Sequence, residues 1–190
     1  LDYAGCGESE GAFEDGTLAS WRDDARLIID AVVPEGPLVL VGSSMGGWLA
    51  LLLAQALGCR VAGLVGIAAA PDFTDWGFDD AQKETMRRDG RLVEPTPYGD
   101  QPYVTTFAFW ESGEALRLLE GEIGIDCPVR LLQGQADADV PWQTALAIAA
   151  RVRSADVQTM LVKDGDHRLS RAPDIALLIA TVASLMEPRP

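Results

Sequence analysis

The stretch "LVLVGSSMGGWLALLLA", Leu38 to Ala54, passes from an apolar block through two serines and a cluster of glycines into a second apolar block. Within it, Gly42-Ser43-Ser44-Met45-Gly46 fits the pattern G-x-S-x-G. The glycines of that pattern allow the close backbone approach of a sharp strand-to-helix turn, and the central serine then projects above the sheet as a nucleophile. Ser44 is the candidate. Gly7-Glu8-Ser9-Glu10-Gly11 fits the same pattern, so context has to separate the two. Ser9 has no apolar strand before it and no apolar helix after it, and its two flanking carboxylates oppose an alkoxide. Ser44 is followed by "WLALLLAQAL", a helix that directs its N-terminal N–H groups toward the place where an oxyanion would develop.

Upstream of this turn, Leu18, Trp21, Ala25, Ile28 and Val32 recur at spacings of three and four. They predict an amphipathic helix with one buried face, capped by Thr17 and ended by Pro34, Gly36 and Pro37. Downstream, "VAGLVGIAAAP" from Val61 and "VRLLQG" from Val129 are short continuous apolar runs like "LVLV", the kind that lies inside a parallel sheet. "WQTALAIAARV" reads as a helix, "VQTMLV" as a strand, and "PDIALLIATVASLM", with Pro173 in its first turn, as a closing helix. The alternation predicts an α/β fold: a mostly parallel sheet with helices on both faces. A chain of 190 residues suffices for one such domain, 1–190. The pattern is interrupted over about 72–126, where prolines and the aromatics Trp76, Phe78, Tyr98, Tyr103, Phe107, Phe109 and Trp110 gather. That composition predicts a lid inserted over the carboxyl edge of the sheet; an ordinary crossover with ragged helices is the plainer reading.

A serine hydroxyl needs a base, and His167 is the only histidine. It lies in "KDGDHR", directly after the strand "VQTMLV", which places it at the same carboxyl edge from which Ser44 emerges. A solitary histidine in a loop is ordinarily a solvated one; the serine turn and a suitable acid change that reading. Asp137 and Asp139 in "GQADADVPW" follow an apolar strand and stand between Ser44 and His167 in chain order, the interval in which an orienting acid is expected. Asp137, first after the strand, is preferred, and Asp139 is the alternative. Its task would be to accept a hydrogen bond from the imidazole and fix its tautomer. Asp166 is a poorer candidate, because a sequence neighbour cannot easily reach the far ring nitrogen.

The balance of 15 Lys plus Arg against 29 Asp plus Glu, a net charge of -14, repels phosphate backbones and anionic lipid, so nucleic acid and membrane surfaces are not expected partners. No apolar run approaches the roughly 20 residues needed to span a bilayer. Cys6, Cys59 and Cys127 are far apart, without a C-x-x-C pair, and support neither a zinc site nor a disulfide framework; buried reduced thiols are expected. The composition favours bacterial cytoplasm, with a mitochondrial matrix as the alternative, and sets no oligomeric state. The chain starts with Leu, and Leu1-Asp2-Tyr3 reads as the end of a strand, so a fragment is expected.

The segments "DYAGCGES", "GSSMGGWL", "CPVRLLQGQADADVPW" and "DHR", in this order, resemble the α/β-hydrolase superfamily, and more narrowly its branch of mitochondrial palmitoyl-protein thioesterases and acyl-glucuronide esterases. The resemblance runs over essentially the whole chain, lid included. It implies Ser44 as nucleophile, Asp137 as orienting acid and His167 as general base. It also implies hydrolysis of carboxylic esters or thioesters through an acyl-enzyme, no cofactor and no metal, with the backbone N–H of Met45 as one half of the oxyanion hole. In this superfamily "DYAGCGES" resembles the segment after the fourth strand, and the second oxyanion donor lies upstream, after the third. The resemblance thus implies an N-terminally truncated α/β-hydrolase fold.

Two functions follow. The first is a serine hydrolase, its aromatic lid suggesting an apolar acyl or aromatic substrate. The second is a non-catalytic fragment of the same fold, acting as a binding module or an incomplete product. Among other enzymes on this scaffold, a dehalogenase would usually place Asp where Ser44 sits, whereas a peroxidase or lyase is not distinguished by the triad residues alone.

Overall fold

In the computed structural model, which describes residues 2–95 and 102–186, each of the apolar runs becomes the expected kind of element. In chain order these are α1 (Leu18–Val32), β1 (Leu38–Ser43), α2 (Met45–Leu57), β2 (Val61–Ile67), α3 (Phe73–Trp76) and α4 (Asp80–Asp89). Then follow β3 (Arg91–Glu94), β4 (Tyr103–Thr106), α5 (Phe107–Glu114), β5 (Val129–Gly134), α6 (Gln143–Arg151), β6 (Val157–Val162) and α7 (Ala172–Met186). The chain divides into two compact units, one of residues Leu1–Pro34 with Asp72–Arg117, the other of Glu35–Pro71 with Leu118–Pro190.

The second unit is an α/β sheet flanked by helices. Its strands run in the order β1-β2-β5-β6, every neighbouring pair parallel. β5 is buried at each residue, as a strand covered on both faces must be, and its sequence accordingly shows no polar-apolar alternation. α2 is apolar all round and correspondingly enclosed: Trp48 and Leu51 are fully buried and Leu49 nearly so. α7 contributes Leu177, Leu178, Val182 and Leu185 to a core with Val65, Ile67 and Leu132 of the sheet. In register, Gly42 of β1 lies beside Gly66 of β2, and Ile67 beside Leu132 of β5, which in turn lies beside Met160 of β6. The carboxyl ends of the strands therefore stand in one row.

The first unit is held by aromatic rings. Thr17 caps α1 through its Oγ1, which accepts the Ser20 N–H, while Ser20 Oγ accepts the Thr17 N–H. Trp21 stacks on Tyr3 at 5.9 Å, and its ring lies 5.4 Å from Phe13 and 5.5 Å from Phe109. Its indole N–H donates to the Ala4 carbonyl, and that of Trp110 to the Thr74 carbonyl, so both large rings are buried with their one donor satisfied.

Four differences from the sequence reading are found. Leu18, Trp21 and Ala25 are buried as expected, but Ile28 and Val32 are 40% and 73% exposed, because the aromatic cluster engages only the first turns of α1. Asp2 and Tyr3 belong to no strand; the Asp2 carboxylate accepts the Glu8 N–H and the Tyr3 carbonyl accepts the Cys6 N–H, so a turn opens at Tyr3. The stretch after Asp72, expected as a lid or as a crossover with ragged helices, contains an antiparallel pair, β3 with β4. Leu1 and the aromatic Tyr98 lie outside the described residues. Cys59 is exposed, and Cys6 and Cys127 are half-buried, so none is the buried thiol expected.

Candidate active site

Ser44 joins β1 to α2 at φ 53 and ψ -122, a conformation that costs a residue with a side chain about 1–3 kcal/mol. Its surroundings impose that geometry. The Ser44 N–H donates to the Ile67 carbonyl of β2 at 2.9 Å, and its own carbonyl accepts the N–H groups of Gly47, Trp48 and Ala70. Gly42 permits the turn, because a Cβ there would lie 2.5 Å from the Gly46 carbonyl carbon and 2.8 Å from Gly47 N. Ser44 is half-buried. Met45 is the first residue of α2, so its N–H has no acceptor within the helix and carries the positive end of the helix dipole. Ser9, by contrast, donates its hydroxyl to the Asp2 carbonyl in a surface turn.

The loops after β5 and β6 are tied backbone to backbone. Gln135 N–H donates to the Val162 carbonyl and Ala136 N–H to the Gly165 carbonyl, both at 2.9 Å. The approach is close enough that a Cβ on Gly134 would stand 2.5 Å from the Gly165 carbonyl carbon and 2.6 Å from the Asp166 carbonyl oxygen. Across this junction His167 Nδ1 lies 3.0 Å from Asp137 Oδ2. The Asp137 side chain is fully buried and that of His167 is 20% exposed. Asp137 Oδ1 accepts the N–H groups of Asp139 and Val140, each at 2.9 Å. Burial pushes the Asp137 carboxyl up, but the Val140 N–H, His167 and the Asp139 N–H together outweigh it and hold the group below its ordinary value.

The alternatives find other places. Asp139 is exposed and supports Asp137 through its backbone N–H. Asp166 Oδ1 accepts the Leu169 N–H, closing a turn in which Leu169 takes φ 45 and so shaping the histidine loop. Asp137, Asp139 and His167 offer ligand atoms within 4.8 Å of one another. A cation there would have to displace donors, since the lone pairs of Asp137 are occupied: two backbone N–H groups on Oδ1, and His167 and Gln133 on Oδ2.

Gln133 was not legible as a site residue. It sits fully buried on β5, and its Nε2 donates to Asp137 Oδ2 at 2.9 Å, with the Gly134 and Val140 carbonyls at 3.3 and 3.4 Å. Its Oε1 is buried with no partner among the described residues, an omission that costs about 1–3 kcal/mol.

Ser44 follows β1, Asp137 follows β5 and His167 follows β6, so all three leave the carboxyl edge of the parallel sheet, where open α/β sheets bind ligands. The structure joins Asp137 to His167 directly; among the described residues no hydrogen bond runs from the Ser44 hydroxyl to the ring. Hydrogen bonds of this kind are often long before substrate binds.

Residues 1–181 match the family described as the alpha/beta hydrolase family. The chain is 40% identical over 191 residues to the mitochondrial palmitoyl-protein thioesterase ABHD10 of Mus musculus, covering 98% of this chain and 64% of that protein. It is therefore just short of two thirds of the length of that relative. A solved chain from Agrobacterium vitis S4 superposes with a TM-score of 0.91 at 42% identity, over 98% of this chain and 75% of the other. The mouse alpha/beta hydrolase domain-containing protein 10 gives 0.88 at 39% identity, over 97% and 75%.

Proposed function

Given that the chain belongs to the alpha/beta hydrolase family, we propose that it is a serine hydrolase cleaving carboxylic esters or thioesters through Ser44, His167 and Asp137. The observation that carries this reading is the buried Asp137 carboxylate bonded to Nδ1 of the only histidine. That bond leaves Nε2 as the ring nitrogen available to a nucleophile, on the sheet edge from which the strained Ser44 emerges.

Ser44 Oγ attacks the carbonyl carbon and His167 Nε2 takes its proton; the carbonyl oxygen becomes an oxyanion facing the Met45 N–H. Collapse expels the alcohol or thiol, protonated by His167, and leaves an acyl-enzyme that water, activated by the same imidazole, hydrolyses. Asp137 stays ionised throughout, consistent with its lowered carboxyl, and holds the ring in the productive tautomer. One oxyanion donor contributes about 3–4 kcal/mol to such a reaction. No step calls for a cofactor.

The thioesterase name of the mouse relative supports an acyl thioester as the substrate class, and the aromatic content of residues 72–126, read as a lid, supports an apolar acyl or aromatic group. That relative's name also places it in mitochondria, which fits the matrix among the two expected compartments. No helix among the described residues is long and apolar enough to cross a membrane.

The test is product analysis on a panel of p-nitrophenyl esters, acyl thioesters and amides, with Ser44→Ala as the control. Release of acid from esters or thioesters, lost in the variant, supports the reading. Turnover that survives Ser44→Ala would sink it, and a folded chain that binds acyl compounds without turnover would support the binding-module alternative.

A further inference from the structure

We propose that Gln133 is a positioning residue for proton transfer at His167, its side-chain N–H fixing the Asp137 carboxylate and sharing the oxygen that holds the imidazole. The proposal rests on the Ser44, His167 and Asp137 reading. Gln133 is a polar side chain in a strand that is otherwise enclosed, between Leu132 and Gly134. Three acceptors surround its Nε2: Asp137 Oδ2, the Gly134 carbonyl and the Val140 carbonyl. They settle the orientation of the amide, because the flipped group would set Oε1 against a carboxylate and two carbonyls. That orientation leaves Oε1 without a donor among the described residues.

For stability alone, a methionine of similar length would fill the space without the orphaned Oε1, the loss of the donor to Asp137 Oδ2 offsetting that gain. What the amide alone supplies is an N–H on the carboxylate oxygen that also meets His167 Nδ1. The charged groups nearby are otherwise accounted for: Asp139 is exposed and lends its backbone N–H to Oδ1, and Asp166 is bonded to the Leu169 N–H. Without the Gln133 N–H, negative charge gathers on Oδ2, which then binds the imidazolium more tightly and is freer to turn. His167 becomes a stronger base and gives its proton to the leaving group less readily.

Because His167 is the only histidine, an NMR titration of its imidazole needs no assignment. The variants are Gln133→Met and Gln133→Glu, with Asp137→Asn as the reference for loss of the pair. In Gln133→Met the Tm should move little, relief of the orphaned Oε1 offsetting the donor lost from Asp137, and the proton affinity of the imidazole should rise about threefold or more. The kcat should fall about tenfold with KM within about twofold, and the acid limb of the pH profile should move up with the titration. Gln133→Glu, which sets a second carboxyl against Oδ2, moves the titration the same way once that carboxyl has lost its proton. Unchanged titration and kcat in both variants, while Asp137→Asn shifts the two, overturns the role of Gln133 and leaves the triad standing. A fall in Tm with an unmoved titration assigns Gln133 to structure alone and also overturns it. An Asp137→Asn variant that moves neither readout removes the triad reading, and this proposal with it. Failure of both Gln133 variants to fold contradicts the claim that the amide is dispensable for stability.

Discussion

Replacing Gly134 by alanine tests whether the junction of the β5 and β6 loops sets the geometry of the Asp137–His167 pair. The added Cβ would stand 2.5 Å from the Gly165 carbonyl carbon and 2.6 Å from the Asp166 carbonyl oxygen. Ordinary carbon contacts lie at about 3.5 Å, so the histidine loop must retreat by about 1 Å. The two backbone bonds that tie the loops, Gln135 N–H to Val162 and Ala136 N–H to Gly165, stretch with it, and the 3.0 Å contact of Asp137 with His167 opens beyond hydrogen-bond length. Overpacking of this kind costs about 1–3 kcal/mol, and a misplacement of about 1 Å costs about a hundredfold in rate. Denaturant unfolding and ester hydrolysis by Gly134→Ala measure the two, with NMR titration of His167 as the link between them. A variant with unchanged stability, kcat and titration would show that the loops separate without consequence for the pair, and that the junction does not set its geometry.

Gly46→Ala should fold and gain up to about 1 kcal/mol of helix preference, because its Cβ meets nothing within 4 Å, whereas Gly42→Ala, pressed against Gly46 and Gly47, should lose more than about 3 kcal/mol; urea unfolding that ranks them equally contradicts the elbow packing. Thr17→Ala removes the cap on Ser20 N–H and should cost about 1 kcal/mol in the same assay. The Asp137 carboxyl lies below its ordinary value in the folded chain, so it stabilises the fold above about pH 4 and that contribution is lost as pH falls through the lower folded value. Thermal unfolding of Asp137→Asn between about pH 2 and 6 should therefore show a shallower acid loss than the parent chain; parallel curves would contradict the assignment.

The sheet and its elbow could be read in the sequence because each rests on a local signal. A continuous apolar run, a glycine-flanked serine and an apolar helix occupy consecutive residues from Leu38 to Leu57, and the strand at Val129–Gly134 shows the same enclosed character. Chain order left Asp137 and Asp139 as acids, position directly after the strand favoured Asp137, and His167 had no rival; Asp137 and His167 lie in hydrogen-bond contact. What escaped the sequence depends on contacts between distant segments. Gln133 hides inside an apolar run, where nothing marks its amide as facing Asp137. The approach of Gly134 to Gly165 joins residues 31 apart, and neither glycine announces it. The β3–β4 pair consists of strands of four residues each, too short for alternation to speak. The exposure of Ile28 and Val32 follows from where the aromatic cluster ends, while their helical spacing gives only the side of α1 on which they fall.

The most direct test of the central claim is covalent labelling of the folded chain with a fluorophosphonate, followed by intact-mass analysis and peptide mapping, with Ser44→Ala and His167→Ala beside it. One adduct is expected, on Ser44, absent from Ser44→Ala and formed far more slowly in His167→Ala. A folded chain that takes no adduct, or takes it on another residue, or labels at the same rate without His167, contradicts the claim.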